Sequence, residues 1–324
     1  MINLKTTFAG IELRNPIVAA SCGLTSTVDG VVALEQAGVG AVVLKSLFEE
    51  SIVREIEHLS SMDDHTEAAD YLQGYTRAQR VEDYISLVVG CKAKCKVPIF
   101  ASICCHSRGE WIAYARAIER AGADGLELNV MGLCARREYT DGEYEKLHCD
   151  IVREIAQLIN IPIVVKLGAN LTNPVALTER LKAYGAAAVV CFNRPYQTDI
   201  DVESMRYVSG KVTSTPAYLC RQLRWVGLIS AAVKGVSFAL SGGVHSYNDV
   251  IKSVLAGASA VEVCSVLYEQ GDKWVGQALA NLEDWMNRKG YDSVSEFCGR
   301  MNASDSVAAE QLERVQFLKF FSAK

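Results

Sequence analysis

Short apolar runs alternate along the chain with longer stretches whose apolar residues recur at helical spacing. The runs are Pro16 to Ala20, Ala41 to Lys45, Pro98 to Ser102, Gly125 to Asn129, Pro162 to Lys166, Ala187 to Asn193, Ser237 to Ser241 and Ala260 to Val263. Each reads as a strand. Helices are predicted over Thr27 to Ala37, where Val28, Val31, Val32 and Leu34 share a face, and over Val81 to Lys94, Arg108 to Arg120 and Asp141 to Ile159. Further helices follow over Pro174 to Tyr184, Ala217 to Val233, Tyr247 to Leu255 and Gly271 to Lys289. Pro174 suits the first turn of its helix, where no amide donor is missed.

One local sentence repeats. Ala121-Gly122 ends a helix and leads into Gly125 to Asn129; Ala37-Gly38, Tyr184-Gly185 and Ala256-Gly257 do the same before their strands. A βα unit used eight times predicts a (β/α)8 TIM barrel, a single domain across residues 1–324 with its core at about 4–299. Leu4 to Phe8 and Ile11 to Leu13, joined by Ala9-Gly10, suit a hairpin that plugs the bottom. Glu49 to Arg80 breaks the rhythm with Asp63-Asp64-His65 and Glu67, and reads as a long insertion after the second strand, over the top and in the position of a lid. Gln197 to Pro216 is irregular, and residues 300–324 form a helical tail.

Composition narrows the chemistry. The 324 residues are 50% hydrophobic, enough for one large core, and the net charge of −5 has no basic stripe, which argues against nucleic acid as a partner. The 11 cysteines show no C-x-x-C and no spacing that pairs with nearby His, so neither a metal centre nor a disulfide framework is expected. No signal peptide or spanning run is apparent, and a reducing cytoplasm without membrane contact is expected.

In such a barrel, ligands bind at the C-terminal ends of the strands. Lys166 ends a buried strand, where its charge has to meet an anion, hold a ring position of a cofactor, form a Schiff base or join a structural ion pair. Lys45 ends the second strand. Asn129 and Asn193 end the fourth and sixth, where their amides serve either a planar hydrogen-bonding ligand or a turn. Ser241-Gly242-Gly243, followed one unit later by Cys264-Ser265, lets backbone N–H groups approach a phosphate, or makes a plain turn. His245 reads as part of the start of the next helix.

At these residues the chain resembles the dihydroorotate dehydrogenase family. The matching motifs are FAGIELRNPIVAAS, VVLKS, GLELN, IPIVVKL, CFN, LSGGVHS, GASAVEVCS and WMNRKGYDSVSEF, in order across most of residues 6 to 299. The resemblance implies an FMN cofactor and pyrimidine biosynthesis, with Ala20 and Ser21 near the flavin and Lys45 and Lys166 at its polar edge. It also implies Asn129 and Asn193 near a small-molecule substrate, and Gly242, Gly243 and Ser265 around the phosphate. It is the soluble class of the family that the chain resembles, and that class implies a homodimer.

The departures lie at the substrate. Where the soluble class has N-L-S-C-P-N with Cys as the base, this chain has Asn129-Val130-Met131-Gly132-Leu133-Cys134. Gly132 stands at the base position and Cys134 in place of a second substrate-binding Asn. The family's N-S-M-G-L-P-N is not found in Glu49 to Arg80, and KVTSTPAY replaces a Gly-Gly near residues 209 to 216. The expected function is an FMN-dependent oxidoreductase passing hydride from a dihydropyrimidine-like substrate to flavin N5, with Cys134, Tyr139 or His148 as base. The rivals are a flavin-free lyase using Lys166 as a Schiff base, and a flavin-binding barrel without turnover.

Overall fold

The computed structural model describes residues 2–48, 66–105, 111–130, 132, 134–195 and 197–313. Strands β1 (Thr6–Phe8) and β2 (Ile11–Leu13) form the antiparallel N-terminal hairpin. β3 (Ile17–Ala19), β4 (Ala41–Val43), β5 (Leu47–Phe48), β6 (Ile99–Cys105), β7 (Gly125–Val130), β8 (Ile163–Leu167) and β9 (Ala186–Cys191) follow. β10 (Thr198–Asp201), β11 (Arg206–Ser209), β12 (Ser237–Ser241) and β13 (Ala260–Val263) complete the set.

All pairings in the large sheet are parallel, and β4 pairs with β6 as well as β3, so eight strands close into a ring in the order β3, β4, β6, β7, β8, β9, β12, β13. This is the (β/α)8 barrel that the alternation of elements predicts. β5 adds a short pairing along β6 above the ring. Helices α1 (Val28–Ala37), α2 (Thr66–Lys94), α3 (Trp111–Arg120), α4 (Glu143–Ala156) and α5 (Pro174–Ala183) pack outside it. So do α6 (Leu219–Ala232), α7 (Tyr247–Leu255), α8 (Ser265–Gln270), α9 (Lys273–Lys289) and α10 (Ser306–Glu313).

Local chemistry explains the helix boundaries. The Thr27 side chain accepts the Gly30 N–H at the start of α1, and Gly38 takes the left-handed turn at its end with φ 110°. Asn173 caps α5 by accepting the Ala176 N–H, with Pro174 behind it.

Successive strand residues face opposite sides of the sheet, and two cores result. Inside the barrel lie Val18, Ala41, Val43, Phe100, Val164, Ala188, Val190, Ala239 and Ala260, closed below by Phe8, Ala9 and Leu13 of the hairpin. The Phe8 and Phe100 rings meet at 5.8 Å, so the hairpin is the bottom plug. The larger core between strands and helices takes the alternate positions, among them Ile17, Val42, Val165 and Val189.

Three expectations change. Helix α2 already begins at Thr66, so the insertion is helical over its second part; residues 49–65, with Asp63, Asp64 and His65, lie outside the described residues. The irregular stretch contains an exposed antiparallel hairpin, β10 paired with β11, which apolar periodicity missed because neither face is buried. A separate short helix, α8, precedes α9. Of the tail, α10 is described and residues 314–324 lie outside.

Candidate functional site

Above the apolar interior, the inward positions turn polar. Two residues beyond Phe100, Gly125, Val164, Ala239 and Ala260 come Ser102, Glu127, Lys166, Ser241 and Glu262, all buried. Lys166 Nζ lies 2.5 Å from Glu262 Oε2 and 3.5 Å from Glu127 Oε1. Glu127 is 1% exposed and neither of its oxygens accepts a hydrogen bond among the described residues. Burial first, and then the Glu262 carboxylate beside it, push its carboxyl well above the ordinary range despite the opposing Lys166. Burial pulls the Lys166 ammonium down, but Glu127 and Glu262 reverse this and leave it above its usual value. The upward push favours the neutral form of Glu127 beside the Lys166–Glu262 pair, the arrangement a dry interior tolerates.

Two residues beyond Glu127 on β7, Asn129 is the register partner of Lys166 on β8, and the Asn193 amide donates to Asn129 Oδ1 at 2.9 Å. The Asn193 N–H is tied to Leu167 O at 2.7 Å, which fixes the end of β9 against β8. Two amides predicted from strand ends thus meet beside the predicted lysine.

The first strand's tip is joined to its neighbours by hydroxyls. Ser21 Oγ accepts the Ser46 N–H at 2.9 Å, and Ser46 Oγ lies 2.9 Å from Ser102 Oγ. Tyr84 of α2 clamps the Ser102 backbone, accepting its N–H at 2.7 Å and donating to its carbonyl at 3.1 Å. The barrel-side part of helix α2 therefore supports the mouth directly. Ala20 is buried and its N–H donates to Val263 O at 2.9 Å, bringing the ends of β3 and β13 together.

At that junction the thiols of Cys22 and Cys264 share a hydrogen bond; this bond, outweighing burial, lowers Cys22 to about 6. Cys264 is correspondingly pushed up, with both Lys166 and Lys45 close enough to oppose the rise.

The loops after β12 and β13 form the other side. Gly242 and Gly243 have φ of 94° and 82°, and a Cβ on Gly243 would come within 2.4 Å of Leu219 N, so only glycine permits this approach of turn to helix α6. The Gly243 N–H donates to Ser214 Oγ at 3.3 Å, and Ser214 Oγ lies 3.0 Å from Ser265 Oγ. Ser214 comes from KVTSTPAY, the stretch that lacks Gly-Gly.

The loop after β7 carries the candidate base. Cys134 is half-buried with φ 48°, and a Cβ on Gly132 would sit 3.7 Å from its Sγ. Asn170 Nδ2 holds Gly132 O at 3.0 Å. Tyr139 OH accepts the Tyr144 N–H at 3.4 Å. His148 is fully enclosed, its Nδ1 on Tyr144 O at 2.8 Å, and burial lowers it to about 4. An enclosed imidazole has no path to a substrate. Met131 and Leu133 lie outside the described residues.

Sequence reasoning passed over Glu127, Glu262, Cys22 and Ser214. A glutamate inside an otherwise apolar strand, as in GLELN and AVEVC, is a signal in itself, since an inward charge needs a partner. Ser214 and Cys22 carry no such signal.

The described part of the chain contains no helix long and apolar enough to cross a membrane. The dihydroorotate dehydrogenase family model matches residues 75–286. A catalytic subunit of dihydroorotate dehydrogenase B (NAD(+)) from Methanosarcina acetivorans is 27% identical over 307 residues, 90% of this chain and 93% of that protein. The subunit of the same description from Thermoplasma volcanium is 26% identical, covering 92% of this chain and 98% of that protein. One from Anoxybacillus flavithermus is 28% identical over 214 residues, 64% of this chain and 68% of that protein. With the closed barrel and its polar mouth, these matches show that the chain belongs to the dihydroorotate dehydrogenase family, whose members are oxidoreductases acting on a CH–CH group.

Proposed function

We propose that this chain is an FMN-dependent dehydrogenase that takes hydride from a small dihydropyrimidine-like substrate. The observation that carries the reading is the convergence, at one barrel mouth, of Lys166, the Asn129–Asn193 amide pair and the Gly242–Gly243 turn held against Ser214 and Ser265. The residues fit the cofactor. Gly242 and Gly243 bring a backbone N–H to the mouth that a side chain would displace, the Gly243 N–H reaching Ser214 Oγ, and Ser265 Oγ, which accepts from Ser214, stands beside it on the next loop. Gly242, Gly243 and Ser265 would hold the phosphate, Ala20, Ser21, Lys45 and Lys166 the ring, and Asn129 and Asn193 the substrate side. Bound FMN supplies the hydride-accepting ring.

Lys166 offers a fixed positive charge to the polar edge of that ring, held in place by Glu262. The same ion pair disfavours the Schiff-base lyase: a nucleophilic amine has to be neutral, and the Glu262 carboxylate 2.5 Å away favours the charged form of this one. In this reading Cys134 takes the proton from substrate, from the loop where Gly132 replaces the soluble class's Cys. The relatives' description as NAD(+)-linked catalytic subunits supports a second subunit as the route for electrons leaving this chain.

The test is spectroscopic. Purified protein is expected to be yellow with non-covalent FMN, and anaerobic addition of a dihydropyrimidine acid should bleach it. Colourless protein that binds no added FMN at micromolar concentration refutes the reading. Yellow protein that no such acid bleaches marks a barrel that binds flavin without turnover.

A further inference from the structure

Two glutamates from opposite sides of the barrel converge on Lys166 Nζ: Glu262 Oε2 of β13 lies 2.5 Å from it and Glu127 Oε1 of β7 lies 3.5 Å from it. All three side chains are more than nine-tenths buried. Glu262 Oε1 and both Glu127 oxygens accept no hydrogen bond among the described residues, so neither carboxyl is engaged there by a fixed donor other than Lys166.

Stability alone does not call for such a layer. A buried ion pair is often no more stabilising than well-packed apolar side chains of the same volume, and the inward positions just below are apolar already, at Phe100, Val164, Ala239 and Ala260. The charges stand where the interior meets the mouth. Lys166 is the register partner of Asn129, whose Oδ1 accepts the Asn193 amide.

We propose that Glu262, with Glu127 beside it, is a positioning residue that acts through Lys166: it offsets the ammonium's charge toward the flavin ring and so holds the ring's reduction potential down. The inference rests on the FMN reading and deepens it. A hydride carries two electrons and one proton, so its arrival adds one negative charge to the ring. A bare ammonium at the polar edge would favour that charge strongly, whereas an ammonium already paired with a carboxylate favours it much less. The reduced ring then gives up its electrons more readily, which suits an acceptor of low potential.

Glu127 has a different part. Burial and the neighbouring Glu262 push its carboxyl above the ordinary range, toward the neutral form, so in wild type the offsetting charge belongs to Glu262. When Glu262 is replaced, Glu127 is the group able to take that charge over, which makes the two substitutions non-additive.

The two-electron midpoint potential of the FMN-loaded full chain, read anaerobically at pH 8 against a reference dye, tests this. Glu127→Gln alone should change the equilibrium constant for reduction by less than about twofold. Glu262→Gln should raise that constant, and Glu127→Gln/Glu262→Gln should raise it at least about tenfold over wild type, a shift of about +30 mV for two electrons. Glu262→Asp keeps the charge and should stay near wild type. A double variant that binds FMN with an unchanged midpoint overturns the inference while the FMN reading stands. Should the double variant not fold, Glu262→Gln decides alone, and no rise there overturns it. A tenfold rise in Glu127→Gln alone takes the charge away from Glu262, and equal rises in Glu262→Asp and Glu262→Gln make shape the cause; either result overturns the proposal. If wild type binds no FMN, the FMN reading and the inference fall together.

Discussion

Lys166 Nζ lies 2.5 Å from Glu262 Oε2, so an ammonium on β8 meets a carboxylate on β13 across the inside of the barrel. The pair ties together strands that do not pair with one another, and Glu127, pushed toward its neutral form by burial, completes the layer. Lys166→Met is expected to destabilise the fold by about 3–5 kcal/mol, because it strands a buried carboxylate, whereas Glu127→Gln should cost about 1 kcal/mol or less. Urea unfolding at pH 7 compares them. The pH dependence has a definite sign. A carboxyl whose folded pKa is raised binds more protons in the native than in the unfolded chain, so wild type loses stability as pH rises above the ordinary value of 4.5, by at most about 1.4 kcal/mol per pH unit. Glu127→Gln removes that loss, and its stability relative to wild type should climb between pH 5 and 8.

Cys22, lowered to about 6 by the hydrogen bond from Cys264, should give a thiolate absorbance step at 240 nm near that pH. Cys22→Ser and Cys264→Ala should each remove it. A depressed thiol contributes stability that is fully present above the unfolded pKa and is lost as pH falls toward 6, so the wild-type advantage over Cys264→Ala should grow with pH across that window.

Gly243→Ala should lower both flavin content and stability. Its Cβ would overlap Leu219 N at 2.4 Å and the residue would hold φ 82°, together at least about 1–2 kcal/mol. Ser265→Glu is the cleaner probe: a negative charge placed among the same donors should abolish FMN retention while thermal unfolding by circular dichroism stays cooperative. Unchanged flavin absorbance against protein would put the phosphate elsewhere.

The base makes the sharpest test. Dihydroorotate should bleach the flavin slowly, since a missing base costs on the order of 10²- to 10⁴-fold. Cys134→Ala should slow reduction by the true substrate to a comparable degree and leave FMN affinity unchanged. Gly132 has room for a side chain, its Cβ position being 3.7 Å from both Cys134 Sγ and Tyr144 Cε2. Gly132→Cys is therefore expected to fold and to raise the rate of bleaching by dihydroorotate at least about 100-fold in stopped-flow traces. Rapid bleaching by wild type, unaffected by Cys134→Ala, would refute the assignment.

Much of this was legible in the chain. The strand and helix periods, with glycine closing helices before their strands, specify a repeated βα unit, and such a unit has one closed solution. Lys166, Asn129, Asn193 and Gly243 could be placed at the mouth because a strand's last residue has only one end of the barrel to occupy. The exposed hairpin β10–β11 escaped notice because an element that buries neither face leaves no apolar period.

The sequence determined which residues stand at the strand ends; the tertiary structure alone decided what each one meets there. Lys166 could have faced a cofactor, a carbonyl or a carboxylate, and it is the closure of β13 beside β3 that brings Glu262 to it. Ser214 sits in a stretch with no periodicity, and only the packing of α6 under Gly243 brings its hydroxyl to Ser265 and His245. Periodicity is a property of neighbours along the chain, whereas charge balance and hydrogen-bond closure are properties of neighbours in space, and ring closure joins residues far apart in sequence.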